Sequence, residues 1–393
     1  MMKLLFFDDV HVDRLDPIAT MRAAADIRCG IHRIAKKWRI MLKIKDAMYD
    51  ARPHLKSIYM SDIPKNVDIL YINGRWMPDA LAVSDVQRLK PGEGLIRNGS
   101  LLAFRQGNGG SEDIRHSRYT DFATLSVSES QSGTLIDRVS DVFMQNELQT
   151  VRDIALINTK AVDRDWPGVM MVHRTSIRIG ENVTIEPGVV LVPDGGLIHI
   201  GDGAVIQAGA LIRGTVSIGK GSTVRMGAHV YHGTTVGPLC KVGGELQNVV
   251  FQGYANKAHG GYLGNSVVGK WVNIGADANT SNLKNNYTSI RIEDWHTGAA
   301  IDTGLQFYGT IFGDHCKVAI GSKLNSGTQF GVSSSFVSND FSPKRIPHFG
   351  WVTDAGVESF EIERALQTAR AMMARRGVTL GAGEEAVLRS YAG

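Results

Sequence analysis

The stretch NKAHGGYLGN, residues 256–265, sets one histidine beside two glycines. An imidazole titrates near neutral pH, so His259 has the chemistry of a general base that takes a proton from an attacking nucleophile. A structural role is the alternative: His259 would satisfy backbone groups in a glycine-rich bend, and Asn273, Asn279 and Asn282 would form an inward or edge ladder of amides. The elements that carry these residues decide where their side chains lie.

A six-residue repeat surrounds this stretch. Eight apolar residues follow one another at intervals of six: Ile200, Ile206, Ile212, Ile218, Val224, Val230, Val236 and Val242. Such hexads are typical of a solenoid whose short strands wind a triangular prism, with one small aliphatic per face pointing inward. Positions 18 apart should then stack along one edge. The rhythm returns later in the chain, at Phe312, Val318, Leu324 and Phe330.

Between these two regular blocks the repeat is disturbed. The next positions in phase, aliphatic or polar, are Val250, Asn256, Tyr262, Val268 and Ile274. A longer excursion spans residues 283–304. Insertions in a solenoid form loops on one side, where binding surfaces usually lie. We therefore expect a functional site in this disturbed region.

The residues from 256 to 282 resemble the active-site rungs of the acetyltransferase domain in the bifunctional GlmU-type enzymes, which acetylate glucosamine 1-phosphate and then uridylate the product. That family has a histidine three residues before Tyr-Leu-Gly, then Asn-Ile-Gly-Ala and Thr-Cys-Asn. Here His259 precedes Tyr262-Leu263-Gly264, and the segments Asn273-Ile274-Gly275-Ala276 and Thr280-Ser281-Asn282 follow without a gap. The resemblance implies a left-handed parallel β-helix and an acyltransferase.

The same resemblance implies a role for each matched residue. An amine must lose a proton to attack the thioester of acetyl-CoA, which makes His259 the general base. Tyr262 and Asn273 would hold the sugar. The acetyl-CoA channel, between neighbouring subunits of a homotrimer, would be lined by Ala276, Asn282 and Thr303.

One position departs from the family. The lysine that the family sets against the sugar phosphate falls on Gln247 by ungapped count from His259. Lys257 or Lys284 would have to supply the missing positive charge. The resemblance therefore specifies acyl transfer more closely than it specifies the substrate.

Residues 1–150 predict a small α/β domain. Strands are indicated by KLLFF at 3–7, VDILYING at 67–74 and SLLAF at 100–104, and a helix by residues 21–45. Residues 135–158 have helical periodicity and lead towards the repeat. Strands that alternate with helices favour this α/β interpretation.

The segment RLDPIATMRAAADIRCGI, after the first strand, resembles a shorter group of GlmU-like sugar nucleotidyltransferases. MARRGVTL at 373–380 resembles the same group, so the resemblance covers nearly the whole chain. In this setting Arg22 and Arg28 either contact phosphates or pair with nearby aspartates, which are Asp8, Asp9 and Asp26. Mg²⁺ is the metal that the family uses in this domain.

Two family features of that domain are missing. No G-x-G-T-R-M loop follows the first strand, and the usual Gly-Asp that binds Mg²⁺ after the second strand is Gly74-Arg75. An arginine cannot ligate a metal. Nucleotide transfer is therefore implied by the family and poorly supported by these residues.

The rest of the chain divides into three parts. Residues 151–170 are a linker, 171–339 the β-helix and 340–393 a tail. Within the tail, residues 357–376 predict an amphipathic helix that caps the open end of the solenoid, with Gly377 just beyond its end.

Composition excludes several classes of protein. The formal charge is +4 with the basic residues spread along the chain, which argues against a nucleic-acid or membrane surface. No segment approaches the ~20 apolar residues of a membrane span. Three cysteines without metal-ligand spacing indicate free thiols. We expect a cytoplasmic protein.

Three functions follow in order of support. The first is acetyl-CoA-dependent N-acetylation of an amino-sugar phosphate or a nucleotide-linked amino sugar. The second is a sugar-1-phosphate nucleotidyltransferase, producing a UDP- or dTDP-sugar through the N-terminal domain. The third is a catalytically silent scaffold that binds a nucleotide sugar.

Overall fold

The computed structural model describes residues 2–59, 61–64, 67–106, 112–157, 159 and 161–392. The N-terminal region is built from eight strands and three helices, in the order β1 (Lys3–Phe7), α1 (Ile34–Leu42), β2 (Met48–Asp50), β3 (Ile69–Asn73), β4 (Trp76–Met77), α2 (Ala80–Arg88), β5 (Glu93–Arg97), β6 (Ser100–Gln106), α3 (Glu112–His116), β7 (Ser126–Glu129) and β8 (Thr134–Leu135). Six strands form one sheet in the order β2-β1-β3-β6-β5-β7, in which β1 is parallel to β2 and β3. The three predicted strands are confirmed.

The helix predicted over residues 21–45 is only partly correct. Residues 34–42 form α1, whereas Ala23 and Ile27 are extended on either side of a single 3-10 turn. The polar groups of this segment bond to distant partners instead of the preceding turn. The Ala24 N–H, for example, donates to Asp8 Oδ1 at 2.9 Å.

Two short helices, α4 (Val139–Met144) and α5 (Asn146–Ile154), lead into a left-handed parallel β-helix of about ten turns. They fulfil the helical prediction for 135–158, of which Asn158 lies outside the described residues. The β-helix strands are β9 (Met170–Met171), β10 (Ile177–Ile179), β11 (Thr184–Ile185), β12 (Val190–Val192), β13 (Ile198–Ile200), β14 (Val205–Ile206), β15 (Leu211–Arg213), β16 (Val216–Ile218), β17 (Thr223–Val224), β18 (His229–Val230), β19 (Thr234–Val236), β20 (Lys241–Val242), β21 (Glu245–Phe251), β22 (Asn256–Lys257), β23 (Tyr262–Val268), β24 (Asn273–Ile274), β25 (Asn279–Thr280), β26 (Arg291–Glu293), β27 (Ala300–Asp302), β28 (Ile311–Phe312), β29 (Lys317–Val318), β30 (Lys323–Leu324), β31 (Gln329–Phe330), β32 (Ser335–Val337), β33 (Arg345–Ile346), β34 (Gly350–Thr353) and β35 (Gly356–Ser359).

Apart from the antiparallel hairpin of β26 and β27 and the final strand β35, these strands form the three faces of the coil. The docked face, which runs from β10 to β33, carries α4 and α5. The covered face, from β11 to β34, lies beneath the tail. The open face comprises β9, β12, β15, β18, the first halves of β21 and β23, and β25 with β30. Among the described residues of this face, Leu211, His229 and Glu245 are exposed.

The hexad prediction is confirmed in the coil interior. All eight aliphatics from Ile200 to Val242 are buried in one cluster, and Ile200, Ile218 and Val236 stack in register. In the disturbed region, the predicted inward positions Val268 and Ile274 are confirmed. The other three predicted positions, Val250, Asn256 and Tyr262, are each wrong by one residue, because Phe251, Lys257 and Leu263 point inward instead. Val250 points outward and packs in the core shared with the N-terminal domain.

The tail does not cap the end of the coil. Two helices, α6 (Ile362–Ala374) and α7 (Ala382–Ser390), follow β35, and Gly377 has the positive φ of 67° expected beyond a helix end. Helix α6 packs along the covered face, where Leu366 and Met373 join Trp271 and Phe349 in one cluster. The predicted helix is therefore present, but it lies on a side of the coil.

Buried polar contacts join the N-terminal domain to the coil. Arg22 pairs with Asp314 of the coil, and both side chains are almost fully buried. Gln252 Oε1 accepts the Arg28 N–H at 2.7 Å, and Asn146 Nδ2 donates to the Gly233 carbonyl at 2.7 Å. The two regions therefore share a hydrogen-bonded and apolar interface.

Two further findings concern the whole chain. The cysteines are buried free thiols, and burial raises the pKa of Cys29, Cys240 and Cys316 to about 12. Among the described residues, no helix combines the length and apolar content that a bilayer crossing needs.

Candidate active site

His259 lies at a corner of the coil, in the turn between β22 on the covered face and β23 on the open face. We call residues 258–261 the His259 turn. The side chain of His259 is exposed, and no hydrogen bond to its imidazole occurs within the described part of the chain. Gly261, in the same turn, has a φ of 98°, and a Cβ there would come within 2.3 Å of the Ala278 carbonyl oxygen. The turn therefore needs glycine where neighbouring rungs meet.

Lys257 holds this turn from inside the coil. Its side chain occupies an inward position that an aliphatic takes in other rungs, and the residue is 0% exposed. The ammonium Nζ donates to the carbonyls of His259 and Gly260 at 2.7 Å each. Burial lowers the pKa of Lys257 to about 8. This position does not support a contact between Lys257 and a sugar phosphate, because the ammonium faces the interior and donates to backbone carbonyls there.

Side chains on the open face form a polar ladder beside the His259 turn. The Tyr262 hydroxyl is 3.4 Å from Gln247 Oε1, and Asn282 Nδ2 donates to that hydroxyl at 3.0 Å. Asn282 Nδ2 also lies 2.8 Å from Asn265 Oδ1. Three residues predicted for the site, Gln247, Tyr262 and Asn282, are thus brought together.

The ladder continues through residues that the sequence did not single out. Gln247 Nε2 contacts His232 Nε2 at 3.2 Å, and His232 Nδ1 lies 3.5 Å from a carboxylate oxygen of Glu147, from α5. His232 belongs to the regular hexads, where its outward position in AHVYHG was the available signal. Glu147 comes from a different domain, so no local pattern connects it to the site.

The same corner carries exposed apolar residues in neighbouring rungs. Ala276 lies at this corner in the rung that follows the rung of His259. The two rungs are joined there, because the Asp277 N–H donates to the Gly260 carbonyl at 3.2 Å. Ile320, in a later rung, is 78% exposed, and Met226, in an earlier rung, is 71% exposed. The corner therefore offers an apolar strip on both sides of His259.

Asn273 lies on the covered-face side of this corner. Its Oδ1 accepts from Asn256 Nδ2 at 3.4 Å. Arg376 of the tail reaches the same place, because its Nη2 donates to Asn256 Oδ1 at 2.7 Å and its Nη1 to the Leu239 carbonyl at 2.6 Å. Within the described chain no carboxylate pairs with Arg376, which makes it a cation that sequence reasoning missed.

Two other predicted residues lie away from the turn. Thr303 follows the hairpin of β26 and β27, where its hydroxyl donates to the Ile290 carbonyl at 2.7 Å. It lines a cleft of about 290 Å³ against Asp13 and Asp137 of the N-terminal domain. Lys284 Nζ donates to the Ser289 carbonyl at 2.7 Å. Within this chain, the 283–304 excursion thus packs towards the N-terminal domain.

The N-terminal domain has its own cluster of charges where parallel strands end. We call Asp8, Asp9, Asn73 and Arg75, at the carboxyl ends of β1 and β3, the closed edge. Arg75 is 0% exposed and grips Asp9 with two bonds, Nε to Oδ1 at 2.9 Å and Nη2 to Oδ2 at 2.6 Å. Burial raises the pKa of Asp9, but the hydrogen bonds and charge of Arg75 outweigh it and hold that pKa below its usual value.

The closed edge does not fit the Mg²⁺ that the family implies. The position after Gly74 carries a guanidinium, and its positive charge already neutralises Asp9. Asp8 faces a second arginine, Arg52, at 3.9 Å, and burial raises the pKa of Asp8 to about 6. A divalent cation needs free oxygen ligands, and these carboxylates are engaged.

The predicted phosphate contacts of Arg22 and Arg28 are not supported by their positions. Arg22 is buried against Asp314, which is none of the three aspartates considered from the sequence. The Arg28 guanidinium donates to the Ile31 carbonyl, and burial lowers the pKa of Arg28 to about 10. Both arginines contribute to the interface between the domain and the coil.

Comparison with known proteins adds a family to this geometry. Residues 4–162 match the family model described as sugar nucleotidyl transferase. The bifunctional protein GlmU of Trichormus variabilis is 30% identical over 190 residues, which cover 42% of this chain and 41% of that protein. GlmU of Synechococcus elongatus is 25% identical over 225 residues, with 51% and 45% covered. The chain spans less than half the length of these curated relatives.

Among solved structures, the UDP-N-acetylglucosamine acyltransferase from Campylobacter jejuni matches 57% of this chain and 94% of its own, with 15% identity and a TM-score of 0.29. The fold is a left-handed β-helix preceded by a region that matches the sugar nucleotidyl transferase model. Over part of their length, the bifunctional GlmU proteins are similar to this chain.

Proposed function

We propose that this protein is an acetyl-CoA-dependent N-acetyltransferase that acts on an amino-sugar phosphate, similar to glucosamine 1-phosphate, in nucleotide-sugar biosynthesis. The observation that carries the proposal is the His259 turn. An exposed imidazole stands there beside a ladder of neutral hydrogen-bonding groups, and a buried ammonium fixes its backbone. The similarity to curated GlmU proteins agrees with the GlmU-type resemblance of residues 256–282, which is the basis for proposing an acetyltransferase.

The reaction follows from the groups at the turn. The sugar amine attacks the thioester carbonyl, and His259 accepts the proton that the nitrogen loses. The carbon–sulfur bond breaks, and the thiolate leaves to be protonated as the CoA thiol. Tyr262 hydrogen-bonds the sugar from the open face and Asn273 does so from the covered face, while Asn282, which donates to the Tyr262 hydroxyl, lines the acetyl-CoA channel.

The acetyl-CoA substrate requires an apolar path for its pantetheine arm. Ala276 and Ile320 offer small and apolar surface at the corner that bears His259. A homotrimer in the cytoplasm, in which a second subunit covers this corner, would give that path its other wall. Thr303 belongs to the proposed channel only if it reaches the corner of a neighbouring subunit.

The test is release of CoA thiol with three acceptors: an amino-sugar 1-phosphate, the same phosphate with a hydroxyl in place of the amine, and a nucleotide-linked amino sugar. The proposal expects thiol release with the amino-sugar phosphate and none with the hydroxyl analogue. If only the nucleotide-linked amino sugar is acetylated, the acceptor is a nucleotide sugar and not a sugar phosphate. The absence of thiol release with every acceptor would contradict acyl transfer and favour a silent scaffold.

A second candidate is a sugar-1-phosphate nucleotidyltransferase in the N-terminal domain, favoured by the family match over residues 4–162. It predicts pyrophosphate release from UTP or dTTP with a sugar 1-phosphate and Mg²⁺. The closed edge weighs against this candidate, because its carboxylates are paired with arginines.

A further inference from the structure

The guanidinium of Arg75 is surrounded by oxygen atoms. Its Nε and Nη2 donate to the two carboxylate oxygens of Asp9, and its Nη1 donates to the Ile136 carbonyl at 2.8 Å. Asp137 Oδ1 lies 3.3 Å from the same Nη1. Two carboxylates and a backbone carbonyl are also the ligand types that hard divalent cations take. Arg75 therefore occupies a cage whose chemistry suits a cation of either kind.

The cage is tied into the fold around it. Asn73 Nδ2 donates to Asp9 Oδ2 at 2.8 Å and to the Leu101 carbonyl at 2.9 Å, and Asn73 Oδ1 accepts the Arg75 N–H at 2.9 Å. The side chains of Asp9 and Arg75 are 4% and 0% exposed. A cation from solution would have to displace a buried guanidinium that makes at least three hydrogen bonds at once.

We propose that Arg75 is a built-in counter-ion that replaces the divalent cation at the closed edge, so that Asp9 binds no Mg²⁺ while Arg75 is present. The inference does not rest on the proposed acetyltransferase. It predicts a gain of metal binding, because removal of the guanidinium leaves the oxygen ligands free to bind a divalent cation.

One other cluster in the described chain has the residue types for a cation. A carboxylate oxygen from each of Asp13 and Asp16 and a ring nitrogen of His296 lie within 4.8 Å of one another. Arg52 Nη1 contacts both aspartates, at 3.1 and 3.2 Å. This cluster is the alternative location that an experiment has to separate from Asp9.

The experiment titrates Mn²⁺ into the full-length protein and follows the free ion by electron paramagnetic resonance. The wild-type protein is expected to show no site that depends on the closed edge. The R75A variant is expected to bind one Mn²⁺ at least ten times more tightly than the wild type, and the double variant R75A/D9N to lose that site. Thermal unfolding provides a second readout, because Mn²⁺ should raise the Tm of R75A and leave that of R75A/D9N unchanged.

Two results would overturn the proposal. One is a Mn²⁺ site in the wild type that D9N abolishes and H296A does not, since that site would depend on Asp9 while Arg75 is present. The other is a folded R75A protein that binds Mn²⁺ no better than the wild type. A wild-type site that H296A abolishes would support the proposal, because the cation would then lie at Asp13, Asp16 and His296. If R75A does not fold, Mn²⁺ titrations of the wild type, D9N and H296A still test whether the wild-type protein has a cation site at Asp9.

Discussion

The closed edge and the His259 turn use charge in opposite ways. At the closed edge, Asp9 and Arg75 are buried and paired with each other; Asp9 also accepts from the Asn73 amide, and Arg75 also donates to the Ile136 carbonyl. At the His259 turn, the charge is buried underneath, at Lys257, and the titratable imidazole stands exposed and unpaired among the described residues. Buried ion pairs cost much to break, whereas a group that transfers protons must reach its substrate. The difference is the one expected between a structural centre and the proposed reactive one.

The largest expected effect is at the reactive centre. H259A removes the proposed base, so kcat/KM for thiol release should fall by about 10²–10⁴. The free energy of unfolding should change by less than about 0.5 kcal/mol, because His259 is exposed. H116A, an exposed histidine on α3, is the matched control and should keep full activity. Equal rates for H259A and the wild type would remove the contrast between the two regions.

A buried arginine of the N-terminal domain should show the reverse pattern. R22M leaves Asp314 buried without its partner, which should lower the free energy of unfolding by about 3–5 kcal/mol. Thiol release per folded molecule should stay unchanged. R14M is the control, since Arg14 and Asp137 are half-exposed and such pairs contribute about 0–1 kcal/mol. Chemical denaturation followed by tryptophan fluorescence measures both variants.

Arg376 tests whether the tail contributes to the reactive region. If this guanidinium binds the acceptor phosphate beside Asn273, R376A should raise the KM for an amino-sugar phosphate about tenfold. That change corresponds to a loss of about 1.4 kcal/mol of binding free energy. The KM for the phosphate-free amino sugar should not change, and R376K should recover part of the loss. The neighbouring exposed Arg375 supplies the control R375A. Equal effects on both acceptors would assign Arg376 to packing of α6 alone.

The last expected effect is a pH dependence from the ammonium beneath the turn. The folded-state pKa of Lys257 is lowered to about 8, against 10.5 for an ordinary lysine. Between these values the unfolded chain binds more protons than the folded one, so the free energy of unfolding should rise with pH. The slope is at most about 1.4 kcal/mol per pH unit. K257M should lack it, and K241M, at an exposed lysine, should retain it; identical slopes in all three proteins would exclude Lys257 as the source.

The regular coil could be predicted from sequence because its period is strict. Between Ile200 and Val242, one aliphatic residue every six positions was enough to predict which side chains point inward. The count failed in β21 and β23, where Leu246 and Phe251, and likewise Leu263 and Val268, are inward positions five apart. These seven-residue strands pass continuously from the open to the docked face, so the usual turn between faces is absent and one residue is lost.

The candidate site was predictable only where it lies close in sequence. The proximity of Gln247, Tyr262 and Asn282 follows from the stacking of rungs. Arg22 and Asp314 are 292 residues apart, and Arg376 and Asn256 are 120 apart. Such pairs depend on how the N-terminal domain and the tail dock on the coil, which no local pattern records. The sequence shows an arginine, Arg75, where the family has a metal-ligating aspartate. It does not show that Arg75 bonds to Asp9.

The central claim, that chemistry belongs to the His259 turn and not to the closed edge, is tested most directly by two calorimetric titrations of the same preparation. One uses acetyl-CoA, and the other uses UTP with and without Mg²⁺. The account predicts saturable binding of acetyl-CoA, and an affinity for UTP that Mg²⁺ does not change. No binding of acetyl-CoA, together with UTP binding that requires Mg²⁺, would contradict it.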